Sequence, residues 1–364
     1  MSFDPIALTQ ELVRLDTRNP PGREQHCAEF LAPLLADCGF AVDMSSFGPG
    51  RANLVARIGE GPALMFTGHL DTVPLGAAPW THDPFGGDIV AGRLYGRGAC
   101  DMKAGVAAML VAAAAEAGSG KAVTLVFTGG EETGAHGARA LAAEHLLGAA
   151  RLLVVGEPTA NRFISGHKGA LWLEACCSGV TAHGSTPHLG ENAVYKAARG
   201  VVALEGFGFN VAPHPIMGSP TLNVGTIAGG ANVNSVPDRA TFTVDIRTVP
   251  GMDHARIGEQ IGVTVAPGTE IAALVDLPSV WSDPDGPQMR RLADAYVAAT
   301  GRPAPVLSAN YFTDASVLTP ALGNVPTLIC GPGDPAMAHK TDEYCEVAMI
   351  EEAVAIYREI IRSA

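Results

Sequence analysis

Apolar positions along this chain recur with two different periods, and the change between them divides it. Leu8, Leu12 and Leu15 are spaced by four and three, the stripe of an amphipathic helix. Asp4-Pro5 ahead of them reads as an N-cap and first helical residue, and Asn19-Pro20-Pro21-Gly22 marks the stop. A second helix is expected over residues 24–38, ending at Gly39. Short apolar runs follow at 53–58, 63–67, 123–128 and 152–155. They are rich in Val, Leu or Phe, as strands buried on both faces are. An Ala-rich helix over 103–117 lies between the second and third runs. Strands alternating with helices predict an α/β domain with a mostly parallel sheet.

After about residue 165 the pattern changes. Residues 170–178 and 241–247 show partial period-two alternation, and 222–227 and 269–277 complete four strands. Helices are expected over 192–205 and, shorter, over 253–261. The order β-α-β-β-α-β predicts a ferredoxin-like α+β domain. Beyond residue 282 the α/β pattern resumes with a helix at 288–300, a strand at 327–330 and a helix at 345–362. The expected architecture is a discontinuous α/β domain, residues 1–166 and 280–364, with a second domain, 167–279, inserted into it.

Composition narrows the function. The 364 residues carry 37 Asp+Glu against 24 Lys+Arg, a formal net charge of -13. That balance argues against nucleic acid and against an anionic membrane surface as partners. Seven cysteines, an odd number without a CxxC pair, read as free thiols in a reducing compartment. Cys176 and Cys177 point to opposite faces of a strand, so no vicinal disulfide is expected. The first 15 residues lack the basic and apolar regions of a signal peptide. The longest nearly apolar run, 104–115, falls short of the ~20 residues of a membrane span. A soluble cytoplasmic protein is expected.

Candidate chemistry gathers after the apolar runs. Gly68-His69-Leu70-Asp71 follows the run 63–67, at the strand end where open α/β sheets place their sites. Asp71, two residues on, is placed to accept the second ring N–H of a metal-bound His69. Alone, the pair is more simply read as a polar strand end. Asp101 precedes the Ala-rich helix and could serve only as its cap. The glycines beside it do not form a dinucleotide fingerprint. Glu131 and Glu132 share a glycine-bounded turn after 123–128, where adjacent carboxylates either stay solvated or need a cation. Glu157 and His339 again follow apolar runs. Together His69, Asp101, Glu132, Glu157 and His339 form an N/O donor set suited to zinc, or to cobalt or manganese. Five ligands exceed one tetrahedral site but suit two metals sharing a carboxylate, with Glu131 left over as a general base.

The segments GHLDTVP, YGRGACDMKAG, GGEETG, VGEPT, GVTAHGSTPHLGENA, DIRTVPG and GPGDPAMAHKTDEY, in this order, span nearly the whole chain. In them the sequence resembles the acetylornithine deacetylase / succinyl-diaminopimelate desuccinylase family of co-catalytic zinc metallopeptidases and aminoacylases. The resemblance implies that His69 and Glu157 bind one metal, Glu132 and His339 the other, and that Asp101 bridges them. It implies Glu131 as general base, Asp71 as partner of His69, and a cis peptide at Asp101–Met102. The inserted segment would be the family's lid or dimerisation domain, making a homodimer. His183 would reach the reacting carbonyl, from its own subunit or the partner's. Arg247 and Asn234 would hold the substrate carboxylate, although Arg247 on its strand could also be a structural ion-pair partner.

The expected reaction is hydrolysis of the amide of an N-acyl amino acid, Glu131 taking the proton of a water shared by the metals. Residues 167–170 lack the Arg-Arg-Gly-Ser stretch of desuccinylases, and the 331–344 segment is nearer the acetylornithine deacetylase side. A dipeptidase or carboxypeptidase of the same family is the alternative within this chemistry. A catalytically silent small-molecule binding relative is the alternative outside it, and the presence of every ligand and of Glu131 speaks against that. The short 253–261 helix reads as a departure from the usual lid.

Overall fold

A computed structural model describes residues 3–265 and 267–364. Its contacts divide into two compact units. One comprises the chain up to Gly166, Val280–Ser308 and Thr313–Ala364; the other comprises His167–Ser279 and Ala309–Phe312.

The first unit is built on a six-stranded sheet. Its spatial order is Ala41–Gly48, Arg51–Ile58, Val123–Thr128, Ala63–His69, Ala150–Val155, Thr327–Ile329. The last four strands run parallel, and the first two form an antiparallel edge. Ala63–His69 and Val123–Thr128 are buried at every position, which explains their unbroken apolar character. The helix Ala104–Ala115 is apolar all round because it too is enclosed. It packs against Pro5–Arg14 and Val347–Ser363, and all share one core with Leu12, Leu31, Phe66, Phe127 and Tyr357. Asp4 caps the first helix, accepting from Ile6 N at 2.8 Å, with Pro5 at N1 as expected.

The second unit is a four-stranded antiparallel sheet in the order Thr221–Gly229, Arg239–Thr248, Gly169–Ser178, Thr269–Leu277. In chain order this is 2-3-1-4, the ferredoxin-like arrangement. Ala193–Glu205 and His254–Thr264 share its core with Leu173, Phe242 and Ile261. Among the described residues every cysteine is free, and no helix is long and apolar enough to cross a membrane.

Several local readings change. Ala41–Gly48 is a strand the pattern hides: as the sheet's edge it is half-buried or exposed throughout, so no alternation marks it. His254–Thr264 continues a turn past the expected 253–261, because Ile257, Ile261 and Val265 all reach the core. Cys345 belongs not to the last helix but to a strand, Tyr344–Glu346, recruited by pairing with Arg93–Tyr95. Helices His136–Ala143 and Ala315–Ala321 are too brief to show a period.

Candidate metal centre

Register sets the starting points of the site. In the parallel ladder His69 lies opposite Thr128, and Val155 opposite both Thr67 and Ile329. The segments leaving these strands therefore open side by side at one edge, bringing His69, Glu131-Glu132, Glu157 and the approach to His339 together. Asp101 comes from a turn, Ala99–Lys103, leading into the enclosed helix. The Asp101–Met102 peptide is cis, as are Asn19–Pro20 and Pro20–Pro21. Gly105 lets that helix begin hard against the neighbouring strand end: a Cβ there would press into the Gly156 carbonyl oxygen, one residue before Glu157. Gly105→Ala should thus destabilise by about 1–3 kcal/mol through overpacking, despite the ~1 kcal/mol helix propensity it gains. Thermal unfolding checks this; an unchanged or raised Tm would show that the helix has room.

The ligand atoms converge. His69 Nε2 lies 3.0 Å from Asp101 Oδ1 and 3.8 Å from Glu157 Oε1. His339 Nε2 lies 3.0 Å from Glu132 Oε2 and 3.4 Å from Asp101 Oδ2. Asp101 thus turns one oxygen to each imidazole. Candidate ligand atoms of His69, Asp101 and Glu132 lie within 4.8 Å of one another, as do those of His69, Glu131 and Glu157. His69, Glu131 and Glu157 are buried, whereas the His339 ring is 54% exposed.

Charge in this cluster is short of cations. Burial pushes the Glu131 carboxyl well above the usual carboxylate range, with Glu157 the next cause. Glu157 is raised likewise, by burial and then by Asp101 and Glu132 against the relief from His69. Burial, reinforced by Asp101, lifts Glu132 to about 7. Hydrogen bonds to Asp101 and Glu132 raise His339 to about 10. Burial opposes the His69 charge, yet Glu157 and Asp101 raise it well above an ordinary imidazole. Burial also works against Asp101, but its bonds to His339 and His69 hold it well below the carboxylate range. The raised acids and imidazoles mark a site that favours added positive charge, the kind a divalent cation supplies. His69 fits that use: its Nδ1 donates to the Asp71 carbonyl at 2.9 Å, which aims Nε2 at the carboxylates as a metal-ligating histidine requires.

Asp71 departs from its expected contact. The strand stops at His69, so strict alternation no longer places the Asp71 carboxylate under the ring. The backbone carbonyl takes that place, with Oδ1 at 3.6 Å. The carboxylate accepts instead from Asn19 Nδ2 at 3.0 Å, Glu131 N at 3.1 Å and Glu132 N at 3.3 Å. It ties the Glu131-Glu132 turn to the His69 strand end.

In the second unit His183 and Asn234 are neighbours. His183 bridges to Ser235, and Gly184 N donates to the Asn234 carbonyl at 2.7 Å. His183 Nδ1 accepts from Ser185 N at 3.2 Å, so in the neutral ring Nε2 is the donor. Arg247 is paired with Asp245 at 2.9 Å and lies 5.9 Å from the Trp172 ring centroid.

Three residues near the metal cluster were not found from sequence. Asn19 also donates to Thr133 Oγ1 at 3.0 Å, pinning the far side of the acidic turn. Asp314 accepts the Thr128 hydroxyl, and its Oδ1 is buried without a hydrogen-bond partner; burial lifts this carboxyl to about 6. Glu343 lies inside the matched 331–344 segment, where an acid without an assigned role was the available signal.

The sequence model of peptidase family M20/M25/M40 matches residues 65–363. A protein of Cereibacter sphaeroides named succinyl-diaminopimelate desuccinylase is 34% identical over 388 residues, covering 100% of this chain and 99% of its own. A probable succinyl-diaminopimelate desuccinylase of Staphylococcus epidermidis is 32% identical over 400 residues, covering 99% and 97%. An M20 family metallo-carboxypeptidase from Sulfolobus solfataricus has the same fold, with a TM-score of 0.83 at 19% identity over 99% of both chains. A dinuclear metal-binding peptidase of the M20 family from Bacillus subtilis gives 0.72 at 15% identity, covering 98% and 96%.

Proposed function

The chain belongs to peptidase family M20/M25/M40, and from that premise we propose that it hydrolyses the amide of a small N-acyl amino acid, N-acetyl substrates first, using two divalent cations. One observation carries the reading: the two Asp101 oxygens face two separate imidazoles, each with its own further carboxylate, Glu157 or Glu132. His69 and Glu157 would hold one cation, Glu132 and His339 the other, and Asp101 both. Zinc suits this N/O set best, with cobalt or manganese next. When bound, the cations would supply Lewis acidity and bring the pKa of a water from ~15.7 to near neutrality.

The chain's own groups do the rest. Glu131 takes the proton of the attacking water and returns it to the leaving amine. His183 donates from Nε2 to the developing oxyanion. Arg247 and Asn234 hold the substrate carboxylate, a charge this acidic chain otherwise repels. The names of the curated relatives favour an N-succinyl group, while residues 167–170 lack the paired arginines of desuccinylases.

A panel of N-acetyl and N-succinyl amino acids, dipeptides and C-terminally cleavable peptides, assayed with zinc, cobalt or manganese, tests the proposal. Turnover should be highest on an N-acyl amino acid bearing a free carboxylate. Absence of turnover on every amide, with two cations bound per chain, would overturn it; preference for dipeptides would move the chain to the peptidase side.

A further inference from the structure

We propose that Glu343 is the positioning residue that sets Asp101 between the two imidazoles, with Arg97 as its counter-charge. The inference rests on the two-cation reading of Asp101 given above.

Four donors from one turn fill the Glu343 carboxylate. Oε1 accepts from Cys100 N at 2.9 Å and Asp101 N at 3.0 Å. Oε2 accepts from Gly98 N at 3.1 Å and Arg97 Nη1 at 2.6 Å. A carboxylate offers about four lone-pair sites, so none is left over. Three backbone N–H groups, of Gly98, Cys100 and Asp101, wrap one carboxylate in the manner of an anion nest, while Ala99 N donates to the Gly96 carbonyl at 3.1 Å. Gly98 makes the turn possible: its φ is 84°, and a Cβ would lie 2.6 Å from Thr72 Cγ2.

The turn is closed by one backbone bond, Lys103 N to the Gly98 carbonyl at 2.9 Å, but has no regular ladder inside it. Asp101, at φ -120° and ψ 93°, and Met102, at φ -136° and ψ 35°, are both outside helical geometry. The N–H groups of Cys100 and Asp101 go to Glu343, and the orientation of the peptide carrying Asp101 is therefore set by that carboxylate. Metal ligands tolerate only about 0.5 Å of misplacement, so control of this peptide is control of the bridge.

Glu343 arrives by strand pairing. Tyr344 lies opposite Tyr95, and Gly96 N donates to the Glu343 carbonyl at 2.9 Å, which places its side chain under the turn. The same segment carries His339 four residues earlier, so one stretch of chain supplies a candidate ligand and positions another. Arg97 is equally enclosed, its Nη2 donating to the Pro74 carbonyl at 3.2 Å and its guanidinium 5.1 Å from the Trp80 ring centroid. It neutralises an acid that would otherwise add to the negative charge around Asp101.

Cobalt(II) binding to the full chain tests this. In Glu343→Gln the amide accepts on one side only, and its NH2 must face two donors whichever way it is turned. Cobalt(II) affinity is expected to fall by at least ~10-fold. The visible absorption of the bound ion should change in position or intensity, and kcat should fall more than KM rises. Glu343→Asp, which keeps charge and both acceptors, should retain a spectrum nearer that of the unaltered chain. If Glu343→Gln does not fold, Arg97→Lys, which keeps the charge but loses the fork, is judged by the same measurements. Asp101→Asn separates the two levels of the argument. If it binds two cobalt ions with unaltered affinity, Asp101 is not the ligand shared by both cations and that part of the reading fails; if the unaltered chain binds fewer than two, the two-cation reading itself fails. If Asp101→Asn loses them while the folded Glu343 or Arg97 variant keeps unaltered affinity, spectrum and kcat, the positioning role is overturned and the two-cation reading stands.

Discussion

Replacing Glu131 by Gln should lower kcat by at least ~10²-fold while both cations remain bound. The substitution keeps shape and burial, and the Glu131 N–H still reaches Asp71 Oδ1 at 3.1 Å, so the acidic turn stays in place. What disappears is the ability to hold a proton. Burial, with Glu157 beside it, gives this carboxyl a proton affinity well above an ordinary glutamate, which is what a base receiving a proton from water needs. A competing role is visible in the geometry. A Glu131 oxygen lies within 4.8 Å of candidate ligand atoms of His69 and Glu157, so Glu131 could itself be a ligand. Metal content measured beside kcat decides between the two. Loss of a cation in Glu131→Gln would make it a ligand, and turnover near that of the unaltered chain would remove it from the chemistry.

Stripping the cations with a chelator should abolish turnover and leave a protein that loses stability as pH rises from 5 to 8. The sign follows from the direction of each shift. Glu132, raised by burial and by Asp101 to about 7, binds its proton more tightly folded than unfolded. Its contribution is complete below the ordinary carboxylate range and is lost as pH passes about 7. Glu131 and Glu157 are raised in the same direction. His339, raised to about 10, and His69 also stabilise below the ordinary imidazole range and lose that contribution as pH climbs. Asp101 acts oppositely, but its window lies in strong acid, outside this range. Glu132 alone corresponds to a change of order 3 kcal/mol, or roughly 4 °C in Tm for a chain of 364 residues. Added zinc should restore Tm, and by more at pH 8 than at pH 5, because binding must displace fewer protons there. A chelated protein with constant or rising Tm across that range would contradict the cation-short cluster.

How much of this was open to a reader of the chain alone depends on the range of each interaction. The buried strands Ala63–His69 and Val123–Thr128, and the enclosed helix Ala104–Ala115, announce themselves because burial on all sides demands continuous apolar residues. The ferredoxin-like unit shows in the order of its elements. Four of the candidate ligands are findable because they lie beyond apolar runs, whose parallel strands deliver their ends to one edge; Asp101 comes instead from the turn before the enclosed helix. Local sequence therefore settles which residue types are offered, and at which strand ends.

Folding settles what those residues face. Ala41–Gly48 exists because Arg51–Ile58 gives it a partner, and Cys345 leaves its helix for Arg93–Tyr95; neither partner is written in the segment itself. Alternation and the family resemblance both gave the Asp71 carboxylate to His69, but the end of the strand gives that contact to the backbone carbonyl and turns the carboxylate to Asn19 and the acidic turn. Asn19 is separated from it by 52 residues, and Asp101 from the Glu343 carboxylate by 242. Hydrogen bonds of such span leave no periodic trace, because each depends on two distant backbones being brought to within about 3 Å. The chain by itself specified a set of acids and imidazoles at one sheet edge; only the packed structure gave each Asp101 oxygen its own imidazole, because that orientation is held by contacts local sequence does not encode.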